Sequence, residues 1–138
     1  MPVRILSVDD SKTIRILVRK ALRGYDCEVL EATNGEEGLA IAAREKPDVI
    51  LLDVTMPVMD GVTMLTKLKE TPELRAIPVV MITAESSWDS FQHFTRLGAR
   101  DYLVKPFRED ELLQAVSRIV VLSPKPGGTL EPTIPAGQ

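Results

Sequence analysis

The sequence predicts an α/β domain built on a doubly wound, five-stranded parallel sheet with five helices. Three observations predict it. Segments of β-rich and of helical periodicity alternate strictly over residues 3–121. Two of the β-rich segments, Val49-Ile50-Leu51-Leu52 and Val79-Val80-Met81-Ile82, are unbroken apolar runs, as in strands covered on both faces. Pro47, Pro72 and Pro78 fall between segments, where a chain can turn.

The elements follow in order. Val3 to Val8 reads as the first strand. From Asp10 the period changes: Ile14, Leu17, Val18, Ala21 and Leu22 share one helix face. Asp10 or Ser11 caps its start and Gly24 ends it. Cys27 to Glu31 is the second strand. Asn34 opens the second helix, with Glu37 three residues on as in a capping box and Leu39, Ala42 and Ala43 inward. The third strand covers Val49 to Leu52. Asp60-Gly61 turns the chain into a third helix with Met64, Leu65 and Leu68 inward. After the Val79–Ile82 strand, a fourth helix spans Ser87 to Leu97, with Phe91, Phe94 and Leu97 inward and Gly98 as its stop. Asp101 to Val104 is the last strand. Arg108 to Val121 is the last helix, carrying Leu112, Ala115, Val116, Ile119 and Val120 at helical spacing.

The totals fit one domain. The 138 residues are 44% hydrophobic and 27% charged, with a net charge of −3. No basic field advertises nucleic-acid binding. A single cysteine, Cys27, excludes an intramolecular disulfide and reads as a small buried apolar residue. Met1-Pro2-Val3-Arg4 runs straight into a strand pattern without a signal peptide, and no apolar run approaches the ~18 residues of a membrane span. A cytoplasmic location is therefore expected. From Ser123 the composition shifts to four prolines and three glycines without periodicity. The expected division is a folded domain over 1–122 and a disordered tail or linker over 123–138.

Parallel strands place their carboxyl ends on one edge of the sheet, where such folds bind ligands. Asp9-Asp10 follows the first strand, Asp53 the third, Thr83-Ala84 the fourth, and Lys105-Pro106 the fifth. Three carboxylates, a hydroxyl and an ammonium are thus expected to converge. Crowded carboxylates repel unless a cation is present. An oxygen-only donor set points to a hard ion such as Mg²⁺. A carboxylate can attack phosphorus to give an aspartyl phosphate, and phosphoryl transfer needs chiefly positioning and charge neutralisation. Asp53, ending a central strand, is the nucleophile candidate; Asp9 and Asp10 hold the ion; Lys105 and Thr83 meet phosphoryl oxygens; small Ala84 leaves room for a donor. Taken singly, Asp10 also reads as a helix cap, an Asp after an apolar strand is common in turns, and a Lys-Pro after a strand is common too. The conjunction at four strand ends carries the argument.

At these residues the sequence resembles the response-regulator receiver family, of the single-domain, chemotaxis-like type. The matching pieces are Val8-Asp9-Asp10-Ser11, Leu51 through Gly61, Ile82-Thr83-Ala84-Glu85, and Gly98 through Phe107. The resemblance covers residues 3–121. It implies a flavodoxin-like sheet of order 2-1-3-4-5, the order of the chemotaxis member that serves as a standard example of this fold. It implies phosphorylation of Asp53 by a histidine kinase or phosphotransfer protein, and Mg²⁺ on Asp10, Asp53 and the Thr55 backbone carbonyl with Asp9 nearby. It implies Lys105 and Thr83 as phosphoryl ligands and a cis Lys105-Pro106 bond. Thr83 and Tyr102 are the implied switch, changing the surface of the fourth helix, fifth strand and fifth helix toward a downstream protein effector. Thr55 and Glu85 are the positions expected to tune phosphoryl lifetime. The domain is expected as a monomer or weak dimer, without direct contact to nucleic acid or membrane.

Other residues read more plainly. His93 is expected on a helix surface, Trp88 as a partly buried anchor or partner contact, Lys67, Lys69 and Glu70 as a solvated face, and Met56, Met59 and Met64 as packing. Rival functions are a haloacid-dehalogenase-like phosphohydrolase and a flavin binder. The first wants a second Asp where Thr55 stands. The second wants a phosphate loop where Asp9-Asp10 stands. Within the receiver reading, a phosphorelay intermediate or a fragment of a larger regulator stands as the alternative.

Overall fold

Val49–Asp53 is buried along its whole length, and so is Val79–Thr83. That is why these two strands, β3 and β4, occupy the middle of the sheet. The computed structural model describes residues 2–125. In chain order the elements are β1 Val3–Val8, α1 Lys12–Leu22, β2 Cys27–Ala32, α2 Gly35–Glu45, β3 Val49–Asp53, α3 Gly61–Glu70, β4 Val79–Thr83, α4 Trp88–Arg96, β5 Asp101–Val104 and α5 Glu109–Ser117. The sheet runs β2-β1-β3-β4-β5, with every pairing parallel. Fold class and strand order are those the sequence implied.

Side chains of a strand alternate between faces, and the two cores divide accordingly. Ile50, Leu52, Val79 and Met81 enter the layer beneath α2, α3 and α4, with Met64, Leu65, Leu68 and Phe94. Val49, Leu51, Val80 and Ile82 enter the opposite layer, with Val18 and Leu22 of α1 and Leu112, Ala115 and Val116 of α5. Burying such side chains is worth roughly 1.5–3 kcal/mol apiece, so each face is a stiff floor under the loops above it.

Helix starts are set by side-chain caps. Ser11, Asn34, Asp60 and Ser87 accept from the backbone N–H three residues on. Of the two expected caps for α1, Ser11 takes the role, which leaves Asp10 free. Gly98 follows α4 with φ of 103°, a conformation L side chains resist.

Three expectations are corrected. First, α5 ends at Ser117, because a run of β-branched and apolar residues, Ile119-Val120-Val121, leads into turn structure there; Ile119 and Val120 still pack on the core. Second, Phe91 is half-buried rather than inward, because Tyr102 covers it instead of the core. Third, residues 123–125, placed by composition in the tail, pair antiparallel with residues 24–26: Asp26 N–H donates to Ser123 O at 2.7 Å and Lys125 N–H to Gly24 O at 3.1 Å. These are backbone bonds, and composition does not register them. The remainder of the expected tail, 126–138, lies outside the described residues. Among the described residues no helix is long and apolar enough to cross a membrane.

Candidate functional site

The register brings the strand ends level. Val8 lies beside Leu52, Asp53 beside Ile82, and Thr83 beside Val104. The residues that terminate these strands therefore share one edge. Carboxylate oxygens of Asp9, Asp10 and Asp53 lie within 4.8 Å of one another. Asp9, Asp53 and Thr83 are buried at 0%, 4% and 3% exposure, whereas Asp10 is exposed. Lys105 Nζ stands 3.0 Å from Asp53 Oδ1 and 3.3 Å from Asp9 Oδ2.

Charge does not balance here. One ammonium faces three carboxylates, and the buried Asp9 Oδ2, which has no hydrogen bond, shares that ammonium with Asp53. A buried carboxylate that shares its one counter-charge with a second carboxylate costs free energy unless more positive charge meets it. An oxygen-only cluster with more carboxylates than ammonium groups to answer them fits a hard divalent cation. Burial pushes the Asp53 carboxyl above its usual range; Lys105 opposes this, and Asp9 and Asp10 reinforce it. Burial alone would lower the Lys105 ammonium, but its bonding with Asp53 and the charges of Asp9 and Asp53 hold it above its usual value.

The loops fit closely around Asp53. A Cβ on Gly61 would stand 2.1 Å from the Asp53 carbonyl oxygen, so only glycine lets α3 begin there. Gly61 N–H also donates to Val54 O at 2.8 Å. Between them Val58 adopts φ of 69°. On the β4 side, Thr83 Oγ1 accepts from Glu85 N–H at 2.9 Å, and Glu85 Oε1 accepts from Ser90 Oγ at 2.9 Å. Ala84 and Thr55 are exposed at the rim, leaving the edge open to a donor. The Lys105-Pro106 bond is cis, as expected.

Residues 5–117 match the family described as the response regulator receiver domain. The chain belongs to that family. It is thus a receiver of two-component signalling. The receiver is 39% identical over 117 residues to Protein PilH of Pseudomonas aeruginosa, covering 85% of this chain and 97% of that one. It is 37% identical over 122 residues to sporulation initiation phosphotransferase F of Bacillus subtilis, covering 88% and 97%. With response regulator PleD of Caulobacter vibrioides it shares 48% identity over 117 residues, 83% of this chain but 25% of PleD. Among solved structures, chemotaxis response regulator CheY4 of Vibrio cholerae superposes with a TM-score of 0.82 at 36% identity, covering 87% of this chain and all of that one.

The receiver brings Asp9, Asp10, Asp53 and Lys105 together as the sequence suggested, with Thr83 ending the neighbouring strand. Tyr102 lies apart, on the outer face of β5, 36% exposed and stacked on Phe91. His93 is exposed on α4, and Trp88 at the start of that helix is 70% exposed, a surface residue rather than an anchor. Sequence reasoning missed Gly61 as a packing requirement and Arg15 as a partner of the Asp9 backbone. In the sequence Gly61 shows as half of a turn and as the end of the Leu51–Gly61 match, neither of which reveals its contact with the Asp53 backbone. Arg15 carried one signal, its place one helical turn after the Ser11 cap.

Proposed function

We propose that this receiver accepts a phosphoryl group on Asp53 from a phosphohistidine of a kinase or phosphotransfer protein, and so changes its α4–β5–α5 face toward a protein effector. The observation that carries this reading is the convergence of Asp53 with Asp9, Asp10 and Lys105 at one open edge.

Asp53 attacks phosphorus with a carboxylate oxygen. The new O–P bond forms as the P–N bond to the donor imidazole breaks, and that electron pair returns to the ring nitrogen. Asp9, Asp10, Asp53 and the Thr55 carbonyl would hold Mg²⁺, which when bound supplies positive charge against the carboxylates and phosphoryl oxygens. Lys105 leaves its two carboxylates to meet one phosphoryl oxygen. Thr83 gives up the Glu85 N–H to donate its hydroxyl to another. That displacement frees space for Tyr102 to turn inward, a population shift driven by contacts that only the phosphorylated state makes. Thr55 and Glu85 flank the path of the water that ends the state. The reading places the chain in the cytoplasm, as a monomer or weak dimer acting on protein rather than nucleic acid.

The test is labelling by a small phosphodonor or a kinase. Phosphate should appear on the chain only with a divalent cation and should vanish in Asp53→Asn. Label that survives either removal overturns the reading. Likeness to a named phosphotransferase supports a relay role too. Passage of label from Asp53 to a histidine phosphotransfer protein, without any effector bound, would favour the relay.

A further inference from the structure

Asp9 is held by a hydrogen bond at every polar atom but one. Its N–H donates to Ala32 O at 3.0 Å. Its Oδ1 accepts from Ser11 N–H at 2.8 Å, and its carbonyl accepts from Arg15 Nη1 at 2.8 Å. What remains is Oδ2, buried, without a hydrogen bond and 3.3 Å from Lys105 Nζ. Of the three bonds, only that from Arg15 comes from a side chain.

Arg15 reaches this carbonyl from α1, with a side chain only 15% exposed. Its Nε pairs with Glu31 Oε1 at 2.9 Å, and the other Glu31 oxygen is taken by Arg19. Glu31 lies on β2 directly before Ala32, the residue whose carbonyl holds the Asp9 N–H. The pair therefore ties α1 to the end of β2 across the Asp9 loop. It also settles a charge problem. A guanidinium beside carboxylates is drawn into them. Glu31 answers that charge, so Arg15 serves Asp9 as a hydrogen-bond donor and does not enter the cluster.

We propose that Arg15 is a positioning residue for the divalent cation, aiming Asp9 Oδ2 into the cluster, and that Glu31 keeps Arg15 in that role. The inference rests on the Mg²⁺ reading above. It names residues that touch neither the metal nor the phosphoryl group.

Calorimetric titration of Mg²⁺ into the full chain tests it, with the thermal midpoint of the metal-free protein recorded beside each titration. Partners that orient metal ligands typically contribute 10–100-fold in affinity. Arg15→Gln should weaken Mg²⁺ binding about tenfold, or roughly 1.4 kcal/mol, and Arg15→Lys should recover part of the loss by donating to the same carbonyl. Glu31→Gln should weaken binding by a similar factor, by releasing the guanidinium to compete for the carboxylates. In an Arg15→Gln background, Glu31→Gln should then change nothing further. Affinities within twofold of the parent in both single variants overturn the proposal, and fully additive losses overturn the role given to Glu31. A parent chain that takes up no Mg²⁺ overturns the proposed function instead. Should Arg15→Gln fail to fold, Glu31→Gln decides, since it alters a charge and no bulk.

Discussion

Phe91 and Tyr102 stack nearly parallel, with ring centroids 3.7 Å apart and planes 13° from one another. The pair joins α4 to β5 on the outside of the domain. With Trp88 and Arg96 it lines a shallow groove of about 330 Å³. An inward turn of Tyr102 would strip one wall from that groove.

Trp88 is the reporter for this change, being the sole tryptophan and 70% exposed. Its emission should shift when phosphodonor and Mg²⁺ are added together, and stay still in Asp53→Asn. In Tyr102→Ala the shift should shrink, while resting stability falls by ~1 kcal/mol, the scale of an aromatic pair. Steady-state fluorescence and urea denaturation read both. A full shift without Tyr102 would separate the aromatic from the switch.

Burial, the largest influence on Asp53, raises its carboxyl above the usual range. A carboxyl raised on folding makes the ionised form destabilising above its folded value. That cost disappears as pH falls through the folded value toward the unfolded one. Metal-free Asp53→Asn should therefore have a higher thermal midpoint than the parent at pH 7, and the gap should close in acid. Mg²⁺ should reverse the order at neutral pH, because binding at a hundredfold over its Kd adds about 2.7 kcal/mol to the parent.

Lys105 gives the opposite limb. Its ammonium is held above the usual value despite burial, through Asp53 and Asp9. The stability it supplies is complete below the unfolded lysine range and is lost as pH rises through the folded value. Lys105→Met should lower the metal-free midpoint at pH 7, with the difference fading at strongly alkaline pH. Thermal scans across pH check this.

Gly61→Ala would set a methyl 2.1 Å from the Asp53 carbonyl oxygen, a backbone atom that cannot yield without moving β3. A loss of roughly 1–3 kcal/mol or more is expected, the scale of overpacking. Phosphoryl uptake should fall with it, since the nucleophile moves too. Denaturation and labelling should fail together.

Val58 combines φ of 69° with a side chain 76% exposed. A β-branched residue is strained there and buries little in return. Val58→Asn, which tolerates that conformation, should gain about 1 kcal/mol in urea denaturation. A loss would mean that the side chain packs against something in solution.

The sheet was legible because β3 and β4 are apolar without interruption and every crossover carries a helical stripe. The acidic edge was legible because parallel strands must end together. What stayed hidden depends on atoms that sequence spacing does not order. Phe91 shares a helix stripe with Phe94, yet only the neighbouring strand decides that it meets Tyr102. Arg15 shows as one more charged helix residue until Asp9 O is placed 2.8 Å away. Trp88 begins α4, where hydropathy alone suggests burial.

The short pairing of Tyr25 with Pro124 has a consequence for wiring. It delivers the main chain, at Lys125, beside β2, while the Phe91–Tyr102 groove lies against β5, and these strands are the two outermost of the sheet. The described chain at Lys125 and the aromatic groove therefore occupy opposite flanks of the sheet, so a partner seated on Phe91 and Tyr102 meets no part of the Tyr25–Pro124 pairing.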